Sequence, residues 1–388
     1  MDVRRFLDPF PGRLVPIRTP VGPDTAFIPD ALPGTWPFDP ELWPLLVRAK
    51  EALGTLNGIG QTLSDPQLLL RPLQNREAIT SSNIEGTFVT PEQLLLFDLN
   101  PTEPTSADDR KADWMEVANY GRSLQTGREM LRTLPICNRV VAEMHRVLMQ
   151  GVRGRASFPG QFRRQQVQIG SNGRYVPAPP AEVDGLMRDL EAYINQDDAA
   201  RDPLVRGFLV HYQFESIHPF TDGNGRVGRA LLALMIQQWH GHAHPWLYLS
   251  SYFEKYKDEY MDNLFRVSTE GAWSRWVEFC LRGTIEQARD SIHRCHLFHA
   301  LKAKFHGIAV DPSPRTHRMI EDLFANPVTT VSALAKKHDV AYATARKDVE
   351  KLISLRILAE MPDSYPRAIF CNAIMRIAFG DRPDETQE

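Results

Sequence analysis

A chain of 388 residues has room for two or three domains at about 150 residues each. Its 45 Lys plus Arg against 48 Asp plus Glu leave a net charge of −3, which excludes a protein that coats nucleic acid or anionic membrane by bulk electrostatics. Hydrophobic content of 43% with 24% charged residues is that of a soluble globular chain. The longest strongly apolar run, Ala230 to Ile236, is far short of a membrane span, and the first residues lack the apolar stretch of a secretion signal. The expected location is cytoplasmic, with no membrane partner. Cys137, Cys280, Cys295 and Cys371 are widely spaced, with no CxxC pair, and read as free thiols.

Between Pro9 and Pro44 prolines recur every few residues, which excludes a continuous helix and predicts an extended arm wrapped over a folded body. From Glu41 the positions Leu45, Leu46, Ala49, Leu53 and Leu56 mark one helical face ending near Gly58 and Gly60, so residues 1–68 are assigned to the arm and a first helix. Helical periodicity recurs over 72–85, 111–132, 138–151, 182–195, 203–217, 228–239, 254–268 and 273–305. The expected fold class is mainly α, a helical bundle. One short β-hairpin interrupts it: residues 166–169 alternate, 170–173 offer a turn, and Tyr175-Val176 resumes. Beyond Pro312, short helices at 316–324, 332–338 and 342–355 precede an extended stretch at 357–370. This is the spacing of a winged helix-turn-helix, assigned to 312–375 with a polar tail at 376–388.

The stretch that carries chemistry is His-Pro-Phe-Thr-Asp-Gly-Asn-Gly-Arg-Val-Gly-Arg at 218–229, between two apolar helices. Gly223, Gly225 and Gly228 satisfy G-x-G-x-x-G, but Leu204, Phe208 and Tyr212 make the preceding segment a helix, where a dinucleotide fold needs a strand. What remains is a helix N-terminus preceded by Gly-Asn-Gly, whose N–H groups converge on an anion with help from the helix dipole. Arg226 and Arg229, three apart, share a helix face from which two guanidinium groups can pair with phosphate oxygens. Asp222 beside this cradle can hold Mg²⁺ through one carboxylate, and His218 is near enough to take a proton from an incoming hydroxyl.

At every specified position these residues match the signature of the Fic family, His-x-Phe-x-Asp/Glu-Gly-Asn-Gly-Arg-x-x-Arg, and the resemblance extends from about Leu69 to Leu281. Upstream, Ser81-Ser82-Asn83-Ile84-Glu85-Gly86 resembles the family's inhibitory helix, expected over about 71–86. Ser81 and Glu85 share a face, Gly86 ends the helix, and Arg229 is the partner that would compensate an acidic residue in a last helical turn. Gly160 to Arg164, leading into Val167, Gln168, Ile169 and Gly170 and on to Pro180, resembles the family's flap at about 163–180. Its exposed strand edge would pair with a target segment. The region from Tyr252 to Trp276 is similar to the one lining the family's adenine pocket, although relatives often carry a tyrosine pair where this chain has Tyr260-Met261.

The resemblance implies a Fic body over 69–305 that transfers AMP from ATP to a Tyr, Ser or Thr hydroxyl of a target protein or of itself, releasing pyrophosphate. His218 would be the base and Asp222 the Mg²⁺ ligand. Gly223, Asn224, Gly225, Arg226, Val227, Gly228, Arg229 and Tyr252 would contact ATP, and Ser81, Glu85 and Gly86 would form the brake. Phe220 reads as an apolar anchor of the loop. Alternative readings are a DNA-binding regulator with a nucleotide-sensing body, removal of AMP from modified proteins, or transfer of another nucleotide. Residues 312–388 carry 11 basic and 11 acidic residues, so docking or homodimer formation is favoured over DNA for that module. His240, His242 and His244 lack a paired acid or thiol, and His293, His296 and His299, with Cys295 adjacent, fit the polar face of a long helix, so both groups read as core or surface residues.

Overall fold

The computed structural model describes residues 1–20, 22–32, 37–63, 66–106, 108–151, 158–170, 174–197, 201–308, 314–362, 364 and 367–380. The expected turn at 171–173, the start of the C-terminal module at 312–313 and the end of the polar tail fall outside them.

The proline-rich start is not a plain extended arm. It forms an antiparallel hairpin, β1 (Gly12–Thr19) and β2 (Gly22–Pro29), with Gly12 opposite Pro29 and Thr19 opposite Gly22. Gly22 takes a φ of +129°, and Thr19 Oγ1 donates to its carbonyl at 2.9 Å. Prolines are tolerated because every strand of a two-stranded ribbon has an edge where an absent N–H costs nothing. Ala26, Phe27 and Ile28 are buried against the body, and Phe27 N–H donates to Val176 O at 2.9 Å.

The body is helical: α1 (Trp43–Thr62), α2 (Gln67–Ile84), α3 (Pro91–Leu99), α4 (Arg110–Met130), α5 (Asn138–Leu148), α6 (Pro180–Asn195), α7 (Pro203–Ile217), α8 (Asn224–Trp239), α9 (Ser250–Lys255), α10 (Lys257–Glu270) and α11 (Trp273–Ile308). Helix α3 lies where no helix is expected from periodicity. Its signal is local: Thr90 and Gln93 form a reciprocal capping box, with Pro91 in the first turn. Helices α7 and α8 form the centre of the core, with Leu204, Phe208, Val227 and Met235 all fully buried. The apolar character of α7 all round, the Asp202 cap accepting from Leu204 N–H at 2.9 Å, and Pro203 fix where it starts. No helix among the described residues is long and apolar enough to cross a membrane.

Helix α11 continues into a C-terminal unit of α12 (Pro314–Ala325), β3 (Val328–Thr329), α13 (Val331–Lys337), α14 (Tyr342–Ser354), β4 (Ala359–Glu360), β5 (Ile369–Phe370) and α15 (Asn372–Phe379). Its three antiparallel strands run in the order β3-β5-β4. Residues 376–379, assigned to the polar tail, belong to α15. The Arg294 guanidinium of α11 bonds the carbonyls of Ile377 and Gly380, the latter at 3.0 Å, and pairs with Asp290. Ile374, Met375 and Ala378 bury this helix, giving it an apolar face too short for a periodicity reading.

Candidate active site

Helix α7 ends on His218, whose backbone adopts φ 51° and ψ 62°, and α8 opens at Asn224 after Gly223 at φ 78°. The helix therefore begins inside the motif, ahead of the expected 228, and only Gly223 precedes it. The first-turn N–H groups of Asn224, Gly225 and Arg226 have no helical carbonyl to bond, which leaves the cradle's donors in place. Val227 N–H is committed to Gly223 O at 3.1 Å.

A left-handed histidine is strained and must be held by its surroundings. Arg163, 2% exposed, does this. Its Nε donates to His218 O at 2.8 Å, Nη2 to Ala178 O at 2.5 Å and Ile217 O at 3.3 Å, and its backbone N–H to Pro219 O at 2.8 Å. The His218 Nδ1 lies 3.4 Å from Glu215 O, a partner that assigns the ring proton to Nδ1 and leaves Nε2 as acceptor. Burial, reinforced by the Arg163 cation, lowers its pKa to about 4 against the opposing pull of Glu85, so the ring is neutral at pH 7.

The loop is braced from below. Phe220 is buried and stacks on His145, with ring centroids 3.7 Å apart. His145 donates from Nε2 to Asp222 O at 3.0 Å and accepts at Nδ1 from Gly160 N–H at 2.9 Å. Asn224, expected to touch phosphate, spends both ends of its amide on Phe220. Its Oδ1 accepts from Phe220 N–H at 2.8 Å and its Nδ2 donates to Phe220 O at 2.9 Å. The Asp222 side chain is 59% exposed, takes the Gly223 N–H at 2.6 Å and lies 3.6 Å from Arg226 Nη2. Asp222 offers a single exposed carboxylate to a metal ion, and no group of three His, Cys, Asp or Glu that could hold one is present among the described residues.

The two arginines diverge, contrary to a joint clamp. Arg226 pairs with Glu116 of α4, which also accepts from Thr87 Oγ1 at 3.3 Å. Arg229 turns to the end of α2, giving Nε to Ser81 Oγ at 2.8 Å and Nη2 to Ser81 O at 2.8 Å and Glu85 Oε1 at 2.7 Å. Burial raises the Glu85 carboxyl and the Arg229 cation more than reverses this, so Glu85 ionises below the usual carboxylate range. A Cβ placed on Gly225 would lie 2.1 Å from Glu85 Oε1, so the Glu85 carboxylate lies directly across the first turn of α8. Gly86, at φ 93°, releases the chain after it.

These groups face a cavity of about 350 Å³, walled by Ile84 and Glu85, by Ile169, Gly170, Arg174 and Tyr175 of the flap, by Glu215 and His218, by Gly225 and Arg229, and by Tyr260, Met261, Leu264 and Phe265 of α10. The flap holds a single antiparallel bridge, Ile169 to Tyr175, with N–H···O distances of 2.8 and 3.1 Å. Val167, Gln168 and Asp222 are not part of the cavity wall. Nor is Tyr252, which packs on Phe279 with centroids 4.9 Å apart and fills the space beside Gly283. Tyr260 and Met261 take the wall position instead.

Several residues of the site went unread in the sequence, among them His145, Glu116 and the three that follow. Lys257 caps α2, its Nζ donating to Ile84 O at 2.6 Å. Glu215 precedes His218 by one helical turn, a spacing that could have flagged it, and Arg163 stood inside the flap landmark without a role of its own.

Residues 135–236 match the model of the Fic/DOC family, and residues 43–129 match that of the Fic/DOC family N-terminal region. A protein adenylyltransferase fic-1 of Caenorhabditis elegans is 35% identical over 101 residues, 25% of this chain and 18% of that protein. A protein adenylyltransferase Fic of Aedes aegypti is 30% identical over 131 residues, 33% of this chain and 24% of that protein. The matched stretch thus spans about a fifth of these relatives' lengths. The fold resembles a crystallised Fic family protein from Desulfovibrio desulfuricans, with TM-score 0.57 and 19% identity over 87% of this chain and 97% of that one. It also resembles a crystallised fragment of Fic-1 from C. elegans, with TM-score 0.53 and 20% identity over 66% and 74%. Motif and family models agree: residues 43–129 and 135–236 of the chain belong to the Fic/DOC family.

Proposed function

We propose that this chain is a protein adenylyltransferase restrained by its own Glu85. The observation that carries the reading is the 2.7 Å pair between Glu85 and Arg229, lying across the first turn of α8 in the same cavity that His218 faces. Neutral at pH 7, His218 Nε2 accepts the proton of a Tyr, Ser or Thr hydroxyl. The hydroxyl oxygen bonds the α-phosphorus of ATP, and the bond to pyrophosphate breaks. The first-turn N–H groups of α8 neutralise charge developing on the phosphate. Asp222 would hold Mg²⁺, which when bound supplies further neutralisation of phosphate charge.

While Glu85 occupies Arg229, the guanidinium cannot organise the γ-phosphate, and ATP binds unproductively. The outer edge of the flap, at Val167 to Gly170, is the docking strand for a target protein or for a segment of the chain itself. We take residues 69–305 as the transferase body and 312–375 as a docking or dimerisation module.

The test is intact mass after incubation of wild type, Glu85→Gly and Glu85→Gly/His218→Ala with Mg²⁺ and ATP. A gain of one AMP in Glu85→Gly alone is expected. No gain in any of the three overturns self-modification with ATP and favours another nucleotide or the regulatory reading.

A further inference from the structure

The Glu215 carboxyl stands in the cavity wall beside Arg229 and His218, and the reading above gives it no role. It stands on α7 one turn before His218, and its Oε1 has no hydrogen-bond partner and no contact with solvent. It is wedged against α8: a Cβ on Gly228 would lie 2.3 Å from that oxygen. A buried polar atom left unpaired is costly, and one in the wall of a ligand-sized cavity can be satisfied by what enters that cavity.

We infer that Glu215 stays protonated in the closed site and donates its O–H to the phosphate-bearing group that replaces the Glu85 carboxylate. The inference rests on the adenylyl-transfer reading and adds to it a second, neutral donor beside Arg229. Geometry selects this role. Glu85, Glu215 and Arg229 line one cavity, so an ionised Glu215 would add a second carboxylate there and repel an incoming phosphate. A neutral acid gives an anion a hydrogen bond without adding charge.

The ionisable groups that line the cavity with it are Glu85 at the end of α2, Arg174 and Tyr175 of the flap, Tyr212 and His218 on α7, Arg229 on α8, and Lys257, Asp258 and Tyr260 on α10, with His211 bonded behind Tyr260. Burial, with the Glu85 charge adding and Arg229 opposing, raises the Glu215 carboxyl to about 8. The histidines move the other way, His218 to about 4 and His211 to about 3, and Tyr260 is pushed well above its ordinary value. Removal of Glu85 lets Glu215 ionise at lower pH, and an arriving polyphosphate drives the proton back on. Nucleotide binding therefore takes up a proton.

Calorimetric titration of ATP into Glu85→Gly, at about pH 8, above the last phosphate ionisation, and in two buffers of different ionisation enthalpy, reads this uptake directly. Glu85→Gly should take up a fraction of a proton and lose affinity by up to about tenfold per pH unit above the Glu215 pKa. Glu85→Gly/Glu215→Gln, which keeps a donor but cannot titrate, should show no uptake and a flat affinity within about threefold of the parent at neutral pH. Equal uptake in both proteins, or a flat profile in Glu85→Gly, overturns the inference while leaving adenylyl transfer standing. Failure of ATP to bind Glu85→Gly overturns both.

Discussion

Substituting Glu85 by Gly should weaken the fold and strengthen nucleotide binding, and the opposed signs are what make the substitution informative. Arg229 is 2% exposed at its side chain and keeps Ser81 Oγ and Ser81 O as partners once the carboxylate is gone. A charge-assisted hydrogen bond contributes about 1.5–3 kcal/mol. Glu85 retains 37% of its side-chain exposure, and solvent screening brings the figure down to about 1–2 kcal/mol. The same quantity is what a phosphate must overcome to claim Arg229, so the apparent dissociation constant for ATP should fall by about 5–30-fold. Denaturant unfolding without ATP should show the loss of about 1–2 kcal/mol, and saturating ATP should restore it through mass action. Titration calorimetry supplies the affinity. A less stable Glu85→Gly protein whose ATP affinity is unchanged would refute the reasoning, because Glu85 would then be a counter-ion of Arg229 and nothing more.

In Glu85→Gly, kcat/KM for adenylyl transfer should stay level between the Glu215 ionisation and about pH 5, and on the acid side fall only below that as His218 protonates. Its free-enzyme pKa is about 4, and loss of the Glu85 charge lowers it further, so an inflection near the ordinary histidine value of about 6.5 would contradict the assignment. Tyr252→Phe should leave ATP affinity within about twofold, whereas Leu264→Trp, which fills the cavity, should weaken it by at least about tenfold; the reverse order in a binding titration would return Tyr252 to the site. Gly60→Ala places a methyl 2.3 Å from the buried Trp246 indole, and should cost about 1–3 kcal/mol, visible as a lower melting temperature. A melting temperature equal to wild type would mean that the indole gives way.

The body was legible in the sequence wherever one signal repeated over several turns. The apolar run of α7, its Asp202-Pro203 start and the polar turn that follows are written in consecutive residues, and the structure reproduces them. The proline-rich start failed for a specific reason. Proline was read as a helix breaker, while its freedom at the edge of a two-stranded ribbon went unweighed, so Pro16 and Pro23 hid β1 and β2. Side-chain destinations were hardest to read. Nothing local sends Arg226 to Glu116, 110 positions earlier in the chain, or commits both ends of the Asn224 amide to Phe220. The Glu85 to Arg229 pair, 144 positions apart, came from the family resemblance, whose inhibitory segment has no meaning without its distant partner.

The placement of α2 determines how far such a brake must move. Its middle is locked: Glu77 is buried and accepts from Tyr120 Oη at 2.7 Å and Ser250 Oγ at 2.5 Å, and Arg76 pairs with Asp290 of α11. Its first turns meet the C-terminal unit, where Arg71 donates to Asn326 at 2.5 Å. Shifting the whole helix would break all of these at once. Beyond Ser82, by contrast, the chain is tied by Asn83 to Glu254 at 2.7 Å, by Lys257 to the Ile84 carbonyl and by Glu85 itself, and Gly86 follows at once with a backbone free to turn. On the proposed restraint by Glu85, release would be a movement of the last turn, with the rest of α2 as a fixed post. A partner seated on the C-terminal unit would press on the post and not on the latch. On that reading an activating signal would act at the end of α2, through the flap or through the α9–α10 junction that carries Glu254 and Lys257.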